Sequence, residues 1–166
     1  ARPIRNVMIA GGGTIAYYLA ERLARAKVKT TIIESNLQRC NELSEKLDRV
    51  MIIHGDAADS KLLLEEGLEQ MDAFVALTNF DEENIMLSLY AHQVSKAKLI
   101  TKVNKIAFEG IVKSIPVGSI ISPEELIRCC RMLEICARVK NYGRRDLDVE
   151  ERDSLDGRFD ALQPLA

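Results

Sequence analysis

Residues 6–25 read NVMIAGGGTIAYYLAERLAR. A strand-like apolar run, 6–10, meets three consecutive glycines, and an amphipathic helical stretch opens at Thr14. Gly11, Gly13 and Ala16 fit the pattern G-x-G-x-x-G/A, in which each position has a separate physical task. Gly11 permits the tight turn out of the strand, Gly13 leaves backbone bare for a pyrophosphate, and Ala16 lets the helix sit close on the sheet. Gly12 is the position the pattern leaves variable, so it is expected to tolerate a side chain better than Gly13. The helix start adds free N–H groups and a partial positive charge.

Outward from this turn, residues 1–143 alternate short Ile- and Val-rich runs with longer segments of helical spacing. That alternation implies β-α-β units and a parallel sheet. Strands are predicted over 6–10, 30–34, 50–54, 73–78, 99–103 and 119–121, with helices over 14–25, 37–47, 60–66, 81–95, 106–114 and from Pro123 onward. Right-handed crossovers make this an α/β, Rossmann-type, doubly wound six-stranded sheet with helices on both faces. Ser122-Pro123-Glu124-Glu125 forms a capping box with Pro at the first helical position, which sets the start of the last helix. That helix carries Leu126, Cys130, Leu133 and Ala137 in a 4-3-4 stripe up to about Lys140, widened by Ile127 and Cys136.

Composition narrows the function classes. The chain has 166 residues, a net charge of −2, 47% hydrophobic and 29% charged residues, which suits one globular domain of residues 1–140. The bulk electrostatic attraction that non-specific nucleic-acid or anionic-membrane binding uses is missing. No apolar run reaches the roughly 18–20 residues of a membrane span, and no signal peptide is evident, so a cytoplasmic location without direct membrane insertion is expected. Residues 144–166 hold four Arg against seven Asp or Glu without a hydrophobic period. Residues 141–166 therefore read as an acidic tail: a mobile extension, the start of a further element, or residues foreign to the domain. The chain begins at Ala1 with a strand three residues on, as a piece of a longer protein would. Cys40, Cys129, Cys130 and Cys136 form no C-x-x-C and lack His at ligand spacing, so no metal site is expected. His54 and His92 are isolated and read as ordinary structural or surface residues.

The remaining site candidates lie at the carboxyl ends of the predicted strands. Glu34 comes 18 residues after Ala16, near the offset of the acid that hydrogen-bonds an adenosine ribose. A carboxylate there accepts from both ribose hydroxyls and repels a 2′-phosphate, favouring NAD over NADP. Arg39 either folds back toward a phosphate or the adenine edge, or faces solvent. Asp56, in Gly55-Asp56-Ala57-Ala58-Asp59, either bonds an adenine amino group or serves as a turn or cap aspartate. Thr78 and Asn79 border the phosphates, Asp81-Glu82-Glu83 suit the start of a helix, and Lys102 is a further candidate for the crevice.

GGGTIAYYLA from Gly11, Glu34-Ser35-Asn36, GDAAD from Gly55, ALTNFDEEN from Ala76 and ISPEEL from Ile121 occur in this order. Together they resemble the TrkA family's regulatory domain, called KTN or RCK, over about residues 4–140. The Arg-Pro-Ile-Arg start is similar to the entry of the second such domain in a TrkA-like chain. The resemblance implies a peripheral cytoplasmic subunit that binds NAD(H) or ATP/ADP and passes a shape change to an integral-membrane potassium-conducting partner at the inner face of the membrane. It places dinucleotide contacts at Gly11, Gly12, Gly13, Thr14, Ile15, Glu34, Ser35, Arg39, Asp56, Ala57, Thr78 and Asn79. It also implies a homodimer or larger ring through the 123–140 helix, which crosses over to a neighbouring subunit. ATP-selective members often carry Arg where this chain has Thr14, which points to NAD(H), and no separate C-terminal ligand-binding lobe is evident.

Rival readings fare worse. An NAD-dependent oxidoreductase fragment needs a substrate domain and an acid or base beside the nicotinamide. No Tyr is followed four later by Lys: Tyr17, Tyr18, Tyr90 and Tyr142 meet Glu21, Arg22, Val94 and Asp146. A methyltransferase fits the later motifs poorly, and no G-K-[ST] follows a glycine loop. The expected role is a regulatory, non-enzymatic one.

Overall fold

Successive residues of a strand turn to opposite faces, and along the first strand both sets are apolar: Val7 and Ile9 join one core cluster, Met8 and Ala10 another. All four are fully buried, which requires helices on both faces. A computed structural model describes residues 3–104, Gly110 and 114–122. It contains six parallel strands: β1 (Asn6–Ala10), β2 (Lys29–Glu34), β3 (Val50–His54), β4 (Ala73–Ala76), β5 (Lys98–Lys102) and β6 (Ser119–Ile121). Their order is β3-β2-β1-β4-β5-β6. This is the Rossmann-type order, with the reversal between β1 and β4.

Helices α1 (Thr14–Arg25) and α2 (Leu37–Lys46) supply Leu19, Leu23 and Leu43 to the cluster over Val7, Ile9, Ile32 and Val75. Helices α3 (Ser60–Glu65) and α4 (Asp81–Val94) supply Leu63, Leu87 and Ala91 to the opposite cluster, around Met8, Ile33 and Phe74. Helix α1 ends in a Schellman motif, with the Val28 N–H donating to Leu23 O (2.9 Å) and the Lys27 N–H to Ala24 O (3.0 Å). Lys27 takes the left-handed conformation there, at φ 61°, where glycine is usual.

Several predicted boundaries shift. β2 and β5 begin one residue earlier than expected, at Lys29 and Lys98, and a short 3₁₀ turn, Leu68–Gln70, was not foreseen. β4 stops at Ala76 rather than running to Thr78 because the Asn84 side chain takes the Thr78 backbone groups out of the ladder. β5 stops at Lys102, and α2, α3 and α4 each end one residue short of the predicted limit. The predicted helix over 106–114, except Gly110 and Ser114, the helix over 123–140 and the tail over 141–166 lie outside the described residues.

Candidate functional site

Where β1 and β4 part, their chains leave for helices on opposite faces of the sheet, and a crevice of about 510 Å³ opens at the strand ends. Gly11 begins it at φ +97°, its N–H donating to Ile33 O (2.8 Å). A Cβ at Gly11 would lie 2.8 Å from the Leu77 carbonyl oxygen, so only glycine fits this turn.

Glu34, the last residue of β2, faces the same turn. One carboxylate oxygen accepts from the Gly12 N–H and the other from the Asn36 N–H, both at 2.7 Å. Arg39 folds back from α2: its Nε donates to Gly12 O (2.7 Å), and its Nη1 pairs with Glu42 at 3.0 Å. The Gly12 peptide is thus clamped on both sides, by Glu34 at its N–H and by Arg39 at its C=O. Asn36 also caps α2, accepting from the Arg39 N–H.

This geometry corrects the expectation for Gly12. A Cβ there would meet Leu43 at 2.7 Å and the Glu34 carboxylate at 2.8 Å, whereas one at Gly13 meets nothing within 4 Å. Gly12 is the crowded position because it packs under Glu34; Gly13 borders open space in the protein alone.

Asp56 accepts from the Ala58 N–H (2.8 Å), so it forms an Asx turn at the crevice wall. On the β4 side, the Thr78 N–H donates to Asn84 Oδ1 (2.8 Å), while Asn84 Nδ2 donates to Thr78 O (3.2 Å) and Lys102 O (3.0 Å). Asn84 is wholly buried and stands in for a peptide group between diverging strands. One turn further along α4, the Ser88 hydroxyl donates to Thr101 Oγ1 (2.6 Å), which donates to Val117 O (2.7 Å). Thr101 has a single hydrogen, and Val117 takes it, which fixes Ser88 as the donor.

The crevice brings together Gly11, Gly12, Gly13, Glu34, Ser35, Arg39, Asp56, Ala57, Thr78 and Asn79. Thr14 and Ile15 sit in the first turn of α1 and do not line it, nor does Lys102. Burial pushes the Lys102 ammonium down from its ordinary value, with Asp81 opposing. Burial, then the Glu34 charge, pushes the Cys40 thiol up. Sequence reasoning missed Gln38, Glu42, Phe80 and Glu83 in the lining, and Asn84 beneath it. Glu42 was accessible as the partner three residues after Arg39; Phe80 and Asn84 lay inside ALTNFDEEN without an assigned task.

The sequence profile of the TrkA-N domain matches residues 7–123. The chain belongs to the TrkA-N family. The Trk system potassium uptake protein TrkA of Halomonas elongata is 43% identical over 124 residues, 75% of this chain and 27% of that protein. That of Vibrio alginolyticus is 40% identical over 124 residues, and a TrkA homolog of Archaeoglobus fulgidus 35% over 122, covering 27% and 28% of those proteins. The chain therefore spans about a quarter of the length of these relatives. Among solved structures, the TrkA-N domain of the inner membrane protein ybaL from Escherichia coli superposes with a TM-score of 0.65 at 18% identity, over 81% of this chain and 98% of that one. A GsuK channel bound to NAD gives 0.61 at 16% identity, over 70% of this chain and 21% of that one. At these identities the likeness concerns the fold, and it agrees with the Rossmann-type order of this TrkA-N domain.

Proposed function

We propose that this TrkA-N domain is a nucleotide-sensing regulatory part of a potassium uptake system. It holds NAD(H) in the crevice, performs no reaction on it, and passes its presence to an integral-membrane potassium-conducting partner from the cytoplasmic side. The observation that carries this reading is the Glu34 carboxylate, oriented at the end of β2 by two backbone N–H groups beside the glycine turn. Each oxygen keeps a second lone pair for a ribose hydroxyl. Gly13 leaves room for the pyrophosphate at the start of α1, where the first turn has no acidic side chain and no side-chain cap. Thr14 and Ile15 contribute backbone N–H groups there, and Ser35, Arg39, Asp56, Ala57, Thr78 and Asn79 frame the rest.

The charge around the crevice favours a dinucleotide over ATP or ADP. Glu34, Glu42, Asp56 and Glu83 line it against Arg39, and Arg39 is already paired with Glu42. A triphosphate needs more cations than the described residues of this lining offer. Among the described residues the lining has carboxylates but no His, Cys, Tyr or Lys of the kind that exchanges a proton with an alcohol or carbonyl beside a nicotinamide, which supports a sensor over an oxidoreductase. The Trk system names of the relatives support the potassium-transport setting. We further assign residues 1–140 to the nucleotide-binding unit, with 141–166 outside it, and the 123–140 stripe to subunit contact.

The test is calorimetric titration of the purified domain with NADH, NADPH and ATP, together with identification of any copurified nucleotide. NADH should bind more tightly than the other two and should not be consumed on incubation with alcohols or hydroxy acids. Equal affinity for NADH and NADPH would overturn the Glu34 assignment, and tighter ATP binding would make the domain an ATP sensor.

A further inference from the structure

Phe80 obeys the local rules poorly. It occupies the N-cap of α4, where Ser, Thr, Asp or Asn would accept a hydrogen bond from the first turn, and it supplies none. It is also 66% exposed, next to a strand whose residues are all buried. A single exposed aromatic is ordinary on a protein surface. Three further observations set this one apart.

Phe80 lines the crevice and is the only aromatic among the described residues of the lining. Its backbone is held in place, the Thr78 hydroxyl accepting from its N–H (3.4 Å) and donating to its C=O (3.3 Å). The Thr78 peptide is in turn fixed by the buried Asn84 amide. An aromatic that gives up a helix cap, remains exposed and rests on a doubly anchored turn has the features of a preformed binding surface. Its position is equally specific. A dinucleotide spans the point where strand order reverses, and Glu34 marks the adenosine side, on β2. Phe80 stands across the reversal, on the β4 side, where the second ring of such a ligand arrives.

We propose that Phe80 is the stacking surface for the nicotinamide ring, and thereby the residue by which the crevice distinguishes a dinucleotide from a nucleotide that lacks a second ring. The assignment rests on the NAD(H) reading of the crevice. It adds a specificity determinant: a flat ring against the exposed face of Phe80, with the β2 side recognising only the adenosine half.

ADP-ribose keeps the adenosine, both phosphates and the second ribose of NADH but lacks the nicotinamide. Titrating the domain with NADH and with ADP-ribose therefore isolates the contact. Phe80→Ser should raise the NADH dissociation constant about tenfold and that of ADP-ribose less than about twofold, while Phe80→Tyr restores the selectivity. Phe80→Ser also adds a capping hydroxyl to α4, so its thermal unfolding midpoint should rise as its NADH affinity falls, a divergence that a purely structural role does not give. Equal losses for the two ligands, no loss for either, or a lowered midpoint with a general loss would overturn the assignment. If the unmodified domain binds neither ligand, the NAD(H) reading itself fails and takes this assignment with it. If it binds both and Phe80→Ser leaves their ratio unchanged, the NAD(H) reading stands and only the role of Phe80 falls.

Discussion

Gly12 donates to one oxygen of Glu34 and Asn36 to the other, so the carboxylate reaches the crevice already oriented. Glu34→Ala removes that acceptor and leaves two N–H groups to find water. It should weaken NAD(H) binding by about 1–3 kcal/mol, measured by calorimetry, with the larger effect on NADH than on NADPH. The two neighbouring glycines should separate cleanly. Gly12→Ala must push Glu34 or Leu43 aside, lowering both the thermal midpoint and NADH affinity. A Cβ at Gly13 meets only open space, so Gly13→Val should leave a folded domain by circular dichroism and abolish NADH binding. Retained affinity in Gly13→Val would make the loop a structural turn. The motif showed where the glycines stand and not which of them is crowded, because crowding depends on Leu43 and Glu34 arriving from α2 and β2. Spacing within residues 11–16 contains no record of those contacts.

At the scale of elements, the end of α1 and the junction of β4 with α4 show what local pattern does and does not specify. Lys27 closes the Schellman motif of α1 at φ 61°, a conformation that a side chain strains. Lys27→Gly should stabilise the domain by roughly 0.5–1 kcal/mol in denaturant unfolding, the relief of the left-handed strain exceeding the added freedom of the unfolded chain; an unchanged or lowered stability would show that Lys27 is not strained. Lys102 gives a pH signature. A lysine whose pKa falls on folding makes the unfolded chain bind more protons between the lowered value and the ordinary 10.5. Stability should therefore gain a contribution as pH rises through that window, and Lys102→Met should remove it. An unchanged slope of unfolding free energy against pH in Lys102→Met would dismiss the effect. Strand and helix positions followed from hydrophobic spacing, since β1 to β5 are apolar runs set between helical segments. The early stop of β4 did not, because it is imposed by Asn84, a side chain eight residues beyond Ala76 in the next helix. The 3₁₀ turn at Leu68–Gln70 is too short to leave a period in the sequence.

For the whole molecule, the doubly wound parallel sheet was legible because parallel pairing admits few arrangements once six apolar runs alternate with helices, and the observed strand order is the one that class implies. The crevice was legible to the same degree, since it lies where that order reverses; apart from Arg39, its lining from α2 and α4 was not, because Gln38, Glu42 and Glu83 look in sequence like any polar helix surface. The proposed assembly rests on the stripe of Leu126, Cys130, Leu133 and Ala137, which lies outside the described residues. Light scattering at micromolar concentration should show a dimer or larger assembly, and Leu133→Asp should yield a folded monomer by burying an unpaired charge in the contact. A monomer without the substitution would refute the shared helix. The parallel sheet also divides the molecule into two ends. Arg5 and Asn6 donate their N–H groups to Asp72 (2.8 and 3.0 Å), clasping the incoming chain where the strands begin, whereas the crevice opens where they finish. Anything joined ahead of residue 3, whether a fluorescent reporter or a surface tether, is delivered to the end away from the crevice. A sensor chip carrying the domain by that attachment would present the nucleotide mouth to the solution flowing past it.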